Sequence, residues 1–191
     1  YAAESPPVDD GTIYDLASLT KVIATGTLAM VAAARGVLPL ETRVTTHRPS
    51  FTGGGRETIT VADLLGHASG LPAHRPYYRR VAGRTGYLAA LDDEPLVYVP
   101  RSRAEYADLG FMLLGCLLEE RLELPLAAAF AAFASDSLGS PALTFTPPSA
   151  WHAAIAPTEV DAWRGRVIAG QVHDANAAAL GGAAGHAGLF G

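Results

Sequence analysis

Lysine is almost missing from this chain of 191 residues. Of its 14 basic side chains 13 are arginine, and the one lysine is Lys21. Cysteine is as scarce: Cys116 stands alone, so no internal disulfide can form, and its apolar helical surroundings make it a small core residue. Charge of either sign is thin at 17%, the net charge is −5, and the arginines are scattered, which excludes the basic patch needed for nucleic acid or an anionic membrane surface. No apolar run is long enough to span a bilayer. The longest, Val22 to Ala34, is interrupted by Thr25, Gly26 and Thr27. The six histidines show neither His-x-x-x-His nor cysteine-paired spacing, so no metal set is predicted, and His173-Asp174 alone is too little for one. The run Gly53 to Gly55 lacks a phosphate-loop lysine. No cofactor is required. There is no initiating Met, and the chain closes on a glycine-rich stretch at Gly191, so both ends read as clipped.

What is present is apolar: 49% of residues are hydrophobic, enough for the core of one globular domain. A possible short strand covers Gly11 to Tyr14. A helix is expected from Asp15 to a stop at Gly36, with Leu19, Val22, Ile23, Gly26 and Met30 at helical spacing and other faces also apolar, hence a central, largely buried helix. Further helices are expected near Ile59 to Leu65, Gly86 to Leu91, Tyr106 to Leu122 and Leu124 to Ala134, the last tolerating Pro125 in its first turn. Ser69 to Pro72 reads as a turn, and residues 135 to 191 as loop-rich.

Lys21 lies three residues after Ser18 on the expected buried helix. That spacing puts both on one face, within reach of a shared hydrogen bond. Arginine stays protonated, whereas a desolvated lysine can release a proton and serve as a base. In the first helical turn Ser18 would also have free backbone N–H groups beside a developing oxyanion. A weak hydroxyl thus gains both a base and an anion donor. Taken alone, Ser-x-x-Lys is a short pattern that is more often a capping serine with a snorkelling lysine.

Three ordered motifs carry more. Asp15-Leu-Ala-Ser18-Leu-Thr-Lys21 before an apolar helix resembles the nucleophile motif of the class C β-lactamase-like serine hydrolases, a family of β-lactamases, penicillin-binding proteins, D-alanyl peptidases and esterases. Val61-Ala-Asp-Leu-Leu-Gly-His67-Ala-Ser69-Gly70-Leu71-Pro72 resembles that family's Leu-Leu-x-His-x-Ser-Gly-Leu segment, and Tyr106-Ala-Asp108 its Tyr-x-Asn motif. The resemblance runs over nearly the whole chain. It implies an α+β, β-lactamase/transpeptidase-like fold, a helical lobe plus part of an antiparallel sheet flanked by helices, with residues 1–191 as a single incomplete domain. Later strands would lie beyond Gly191, so this stretch alone is expected to be poorly soluble and nearly inactive.

By the same resemblance Ser18 is acylated, Lys21 relays its proton, and Tyr106 joins Lys21 as base for acylation and for the deacylating water. His67 is a structural residue of its turn. Asp108 stands where the family has asparagine; an ionised carboxylate cannot donate to a substrate carbonyl, so a simple ester fits better than an amide or lactam. Asp108 is also a candidate helix N-cap. His186-Ala187-Gly188 can be read as the family's third motif, with His186 contacting substrate, or as part of the glycine-rich segment Gly181 to Gly191, which is preferred. The expected function is hydrolysis through an acyl-enzyme, esterase first, with β-lactamase or D-alanyl-D-alanine carboxypeptidase as alternatives, on a small ester, lactam or D-amino-acid peptide. A non-catalytic binding or scaffolding relative is the rival of another class.

Overall fold

Ten consecutive residues, Leu109 to Leu118, are all buried. A helix covered on every side has to lie at the centre of its layer, and the rest of the fold is arranged around this one. The computed structural model describes residues 7–138 and 142–191. The central helix is α5, Asp108–Leu122. Against it pack α1 (Thr27–Ala34), α3 (Val61–Leu65), α4 (Gly83–Asp93) and α6 (Leu126–Phe133). The short helices α2 (Val44–His47) and α7 (Ala175–Ala179) complete the helical part.

The expected central position of the nucleophile helix is therefore corrected. Among the described residues, Leu19, Val22 and Met30 form a stripe on its outer side that is 54%, 64% and 62% exposed. All-round hydrophobicity was read as all-round burial, but an apolar face signals a partner surface without saying that this stretch of chain supplies it. The helix also starts later than expected. Asp15 is extended and bridges Phe190, and helical structure begins after Ser18. Its first part, Lys21–Gly26, is a π-helical turn that runs directly into α1.

Local chemistry explains most other boundaries. Thr60 and Asp63 form a reciprocal capping box that starts α3, with the Asp63 carboxylate accepting the Thr60 N–H at 2.9 Å. α4 is longer than the predicted Gly86 to Leu91. It lacks a side-chain cap and begins at Gly83, whose positive φ favours glycine, so its start carried no polar signal. α6 follows Pro125 as expected.

Sheet structure is slight. The hairpin β1 (Val160–Asp161) and β2 (Arg166–Val167) pairs Val160 with Val167, and it was not foreseen within the loop-rich region. Its tight turn is organised by Asp161, which accepts the N–H groups of Trp163 and Arg164. Phe190 is bridged by Asp15 on one side and Thr144 on the other, and Ile13 pairs with Ile155. Within the possible strand at Gly11 to Tyr14, only Ile13 makes a bridge, and no strand forms there.

The glycine-rich end has a definite packing role. A Cβ added to Gly185 would lie 2.9 Å from the Gly115 Cα of α5 and closer still to the Phe111 carbonyl oxygen, so backbone meets backbone where these segments cross. Gly110, on the same helix, has only ordinary contacts at 3.7 Å and beyond. Gly185→Ala is accordingly expected to cost at least about 3 kcal/mol through overpacking. Gly110→Ala should be neutral or stabilising by up to about 1 kcal/mol, because alanine is the better helix former. Urea denaturation of both variants checks the contrast.

Candidate active site

Two segments that flank Ser18 in space fix its position. The Asp15 carboxylate accepts the Ala17 N–H at 2.8 Å and the His173 N–H at 2.6 Å, tying the nucleophile turn to the loop before α7. Ala17 has φ +46°, an uncommon region for alanine, and this kink delivers Ser18 to the helix entrance. The Ser18 side is exposed, and its backbone N–H has no backbone acceptor among the described residues. Such a free first-turn N–H is the type of donor an oxyanion needs.

Lys21 is 2% exposed, and a buried ammonium is costly unless all three N–H groups find acceptors. They do. Nζ donates to Ser18 Oγ at 2.9 Å and to the His186 carbonyl at 3.0 Å, and it pairs with Asp108 Oδ1 at 2.7 Å. It also sits 4.8 Å from the centroid of the Tyr106 ring. The predicted group of Ser18, Lys21, Tyr106 and Asp108 is thus brought together around one nitrogen. Tyr106 meets Lys21 with its ring; among the described residues its hydroxyl has no hydrogen bond.

Asp108 is the first residue of α5 and makes no capping hydrogen bond, which corrects the N-cap reading. Its carboxylate turns to Lys21 because the buried ammonium is a stronger partner than a free N–H. The Asp108 N–H donates to the Ala73 carbonyl at 2.8 Å, so the loop after Pro72 is stitched to the same point.

His67 holds the Tyr106 segment. Its Nδ1 accepts the Ala107 N–H at 3.1 Å, which puts its own proton on Nε2 when the ring is neutral, and its carbonyl accepts from the Glu105 N–H and the Tyr98 hydroxyl. The ring stacks between Tyr106 and Phe111 at 4.7 and 4.9 Å. Burial, followed by the nearby Lys21 charge, lowers its pKa from the ordinary histidine value. A packed imidazole that holds the entry to α5 fits the structural role that the family resemblance implies for His67.

His186 takes part through its backbone. The carbonyl serves Lys21 while the ring, 1% exposed, turns inward and pairs through Nε2 with Asp174 Oδ1 at 2.8 Å. An enclosed ring of this kind presents no surface to a substrate, so the substrate-contacting reading of His186 has no geometric support. One residue earlier the Gly185 carbonyl accepts from Thr25 Oγ1 at 2.7 Å, and the Leu189 N–H donates to Thr20 Oγ1 at 3.1 Å. The glycine-rich segment is therefore sewn to the nucleophile helix by Thr20, Lys21 and Thr25. Sequence reading missed Thr20, Thr25, Asp174 and His74, since each becomes informative only once a distant partner is known. Among the described residues no group of three or more His, Cys, Asp or Glu side chains could hold a metal ion, and no helix is long and apolar enough to cross a membrane.

With this geometry established, comparison with known proteins is direct. The family model described as "Beta-lactamase" matches residues 2–191, and the chain belongs to that family. Among curated relatives it is 32% identical to the "Putative D-alanyl-D-alanine carboxypeptidase" of Escherichia coli (strain K12) over 94% of this chain and 48% of the relative. It is 31% identical to the protein of the same description from Salmonella gallinarum, with the same coverage. The chain thus spans about half the length of the curated relatives it matches. Solved structures share the fold: a class C β-lactamase from Rhodobacter sphaeroides (TM-score 0.77, 22% identity, 100% of this chain and 51% of that one), and a β-lactamase/D-alanine carboxypeptidase from Yersinia pestis complexed with citrate (TM-score 0.75, 19% identity, 98% and 52%).

The Asp174 carboxylate generates a pH prediction. Burial pushes its pKa up, but the hydrogen bond and charge of His186 and the Ala177 N–H outweigh that and hold it at about 2. An unfolded aspartate titrates near 3.9, so the folded state is favoured above about pH 4 by roughly 2 kcal/mol, and this is lost as pH falls from about 4 towards 2. Asp174→Asn should lower stability at pH 6 by about that amount, and its difference from the unaltered protein should shrink over pH 4 to 2. Denaturant titrations across that range measure it.

Proposed function

We propose that the protein is a serine hydrolase that works through an acyl-enzyme on Ser18. The observation that carries this is the 2.9 Å hydrogen bond between Lys21 Nζ and Ser18 Oγ, made by a buried lysine whose other partners are a carboxylate and a carbonyl. Attack by Ser18 Oγ on a carbonyl carbon requires its proton to leave; Lys21 Nζ takes that proton while handing one of its own to Tyr106, which acts as the phenolate beside the Lys21 charge, and Tyr106 then returns the proton to the departing oxygen of the substrate. The negative charge that develops on the substrate oxygen falls near the free Ser18 N–H. Water then completes the cycle by hydrolysing the acyl group from Ser18.

Ester cleavage is the preferred chemistry, and Asp108 is its support. Oδ1 accepts from Lys21, and an ionised carboxylate has no proton to offer an amide carbonyl. The names of the relatives favour a second reading, a carboxypeptidase acting on D-alanyl peptides. A non-catalytic scaffold is the weaker reading, since it leaves the burial of a lysine beside Ser18 without purpose.

Lys21→Arg keeps the positive charge but removes the group able to give up a proton, and should slow acylation of the intact protein by about a thousandfold or more. Labelling by a fluorophosphonate or penicillin-type probe, followed by mass spectrometry of the Ser18 peptide, reads this out; near-normal labelling of the variant removes Lys21 from the mechanism. Asp108→Asn should shift the ratio of lactam to aryl-ester hydrolysis towards lactam, measured as kcat/KM for each, and efficient lactam cleavage by the unaltered enzyme would contradict the ester preference.

A further inference from the structure

Asp108 has a second partner that faces outward. His74 Nδ1 lies 3.7 Å from Asp108 Oδ2, while Oδ1 is held by Lys21, so one carboxylate joins a buried cation to a histidine whose side chain is 50% exposed. The bond from the Asp108 N–H to the Ala73 carbonyl keeps this loop in register with the start of α5. We propose that His74 is a specificity-determining residue: through its charge at the outer end of the Lys21–Asp108–His74 chain it selects between acyl donors that carry a carboxylate and neutral ones. This rests on the serine hydrolase reading above.

Charge counting gives the physical basis. With His74 neutral, Lys21 and Asp108 cancel, and the site has no net attraction for an anionic substituent. With His74 protonated, the cluster carries one net positive charge, placed on its solvent-facing member. Asp108 itself cannot hydrogen-bond a carboxylate while ionised, whereas an imidazolium donates from both nitrogens. Histidine is the side chain whose charge ordinarily changes between pH 5 and 8.

The other charged groups around His74 do not substitute for it. Asp174 is close enough for its charge to act on His74, but that carboxylate, held by His186 and the Ala177 N–H, is the same in both states of His74, so protonation of His74 still adds one positive charge to the outer face. Arg75, the next residue, donates to the His74 carbonyl and to Glu94 Oε1, so its guanidinium is drawn towards α4. Lys21 acts on His74 only across Asp108. The solvent-facing member of the cluster is His74.

The test uses two esters of the intact protein's preferred acyl length, identical except that one ends in a carboxylate and the other in its methyl ester. The ratio of their kcat/KM values, anionic over neutral, is measured from pH 5 to 8 alongside mass-spectrometric detection of the Ser18 adduct. The ratio should fall about five- to tenfold as pH rises, the effect of one well-hydrated charge about 4 Å away. It should be low and flat in His74→Gln and high and flat in His74→Lys, and it should weaken as salt is added. A ratio with the same pH dependence in all three proteins, or none in the unaltered one, overturns the role of His74 while the Ser18 adduct still forms. Absence of any Ser18 adduct overturns the hydrolase reading and this inference with it.

Discussion

The ammonium of Lys21 is the constraint on which the rest of this site depends. An ion withdrawn from water costs several kcal/mol unless its protons are met in good geometry. Here the three acceptors come from the turn at Ser18, the start of α5 at Asp108 and the glycine-rich segment at His186. Each lies on a different part of the chain. Burying one nitrogen therefore enforces convergence of three segments, and the convergence is the candidate active site. The same interaction explains why the neighbours are what they are: His67 pins the Tyr106-Ala107-Asp108 entry to α5, Asp15 pins the kink before Ser18, and Thr20 and Thr25 pin the segment that offers its carbonyls.

A second layer of support stands behind the first. His186 gives Lys21 a carbonyl, and its ring is anchored by Asp174, which also caps α7. Gly185 permits the close crossing over α5 that brings that carbonyl within reach. Cys116, on the same helix, is buried without a polar partner, and burial pushes its thiol up to about 11, so it is an inert packing residue, in keeping with its apolar context.

The site's chemical members were legible in the sequence because their signals are local: a lone lysine three residues after a serine, a Tyr-x-Asp before an apolar helix, a Ser-Gly-Leu-Pro turn. The helices α3, α5 and α6 were legible for the same reason, through capping residues, apolar periodicity and Pro125. What could not be read was relational. Nothing local distinguishes a helix covered on all sides from one with an open stripe, so the central place belonged to α5 and not to the helix after Ser18. Two-residue strands such as β1 and β2 fall below any periodic signal. The part of His74 depends on Asp108, 34 positions away, and that of Asp174 on a histidine taken for a motif residue. His186 was noticed for its side chain, while its contact with Lys21 is made by an atom that every residue possesses.

The π-helical turn at Lys21–Gly26 has a consequence for how this protein can change. A π turn takes up one residue more than an α turn closing the same loop of backbone, so the helix holds a surplus residue between Lys21 and the core-facing Leu28, Ala29 and Ala32. Removing it would restore regular α geometry and leave Leu28, Ala29 and Ala32 facing the core, because the π turn already absorbs the extra residue. A residue inserted or deleted farther along α1, with no such turn to absorb it, would instead rotate everything downstream by about 100°. The turn between Lys21 and Leu28 is therefore where the helix can shorten by one residue with Ser18, Lys21 and the core all kept in register.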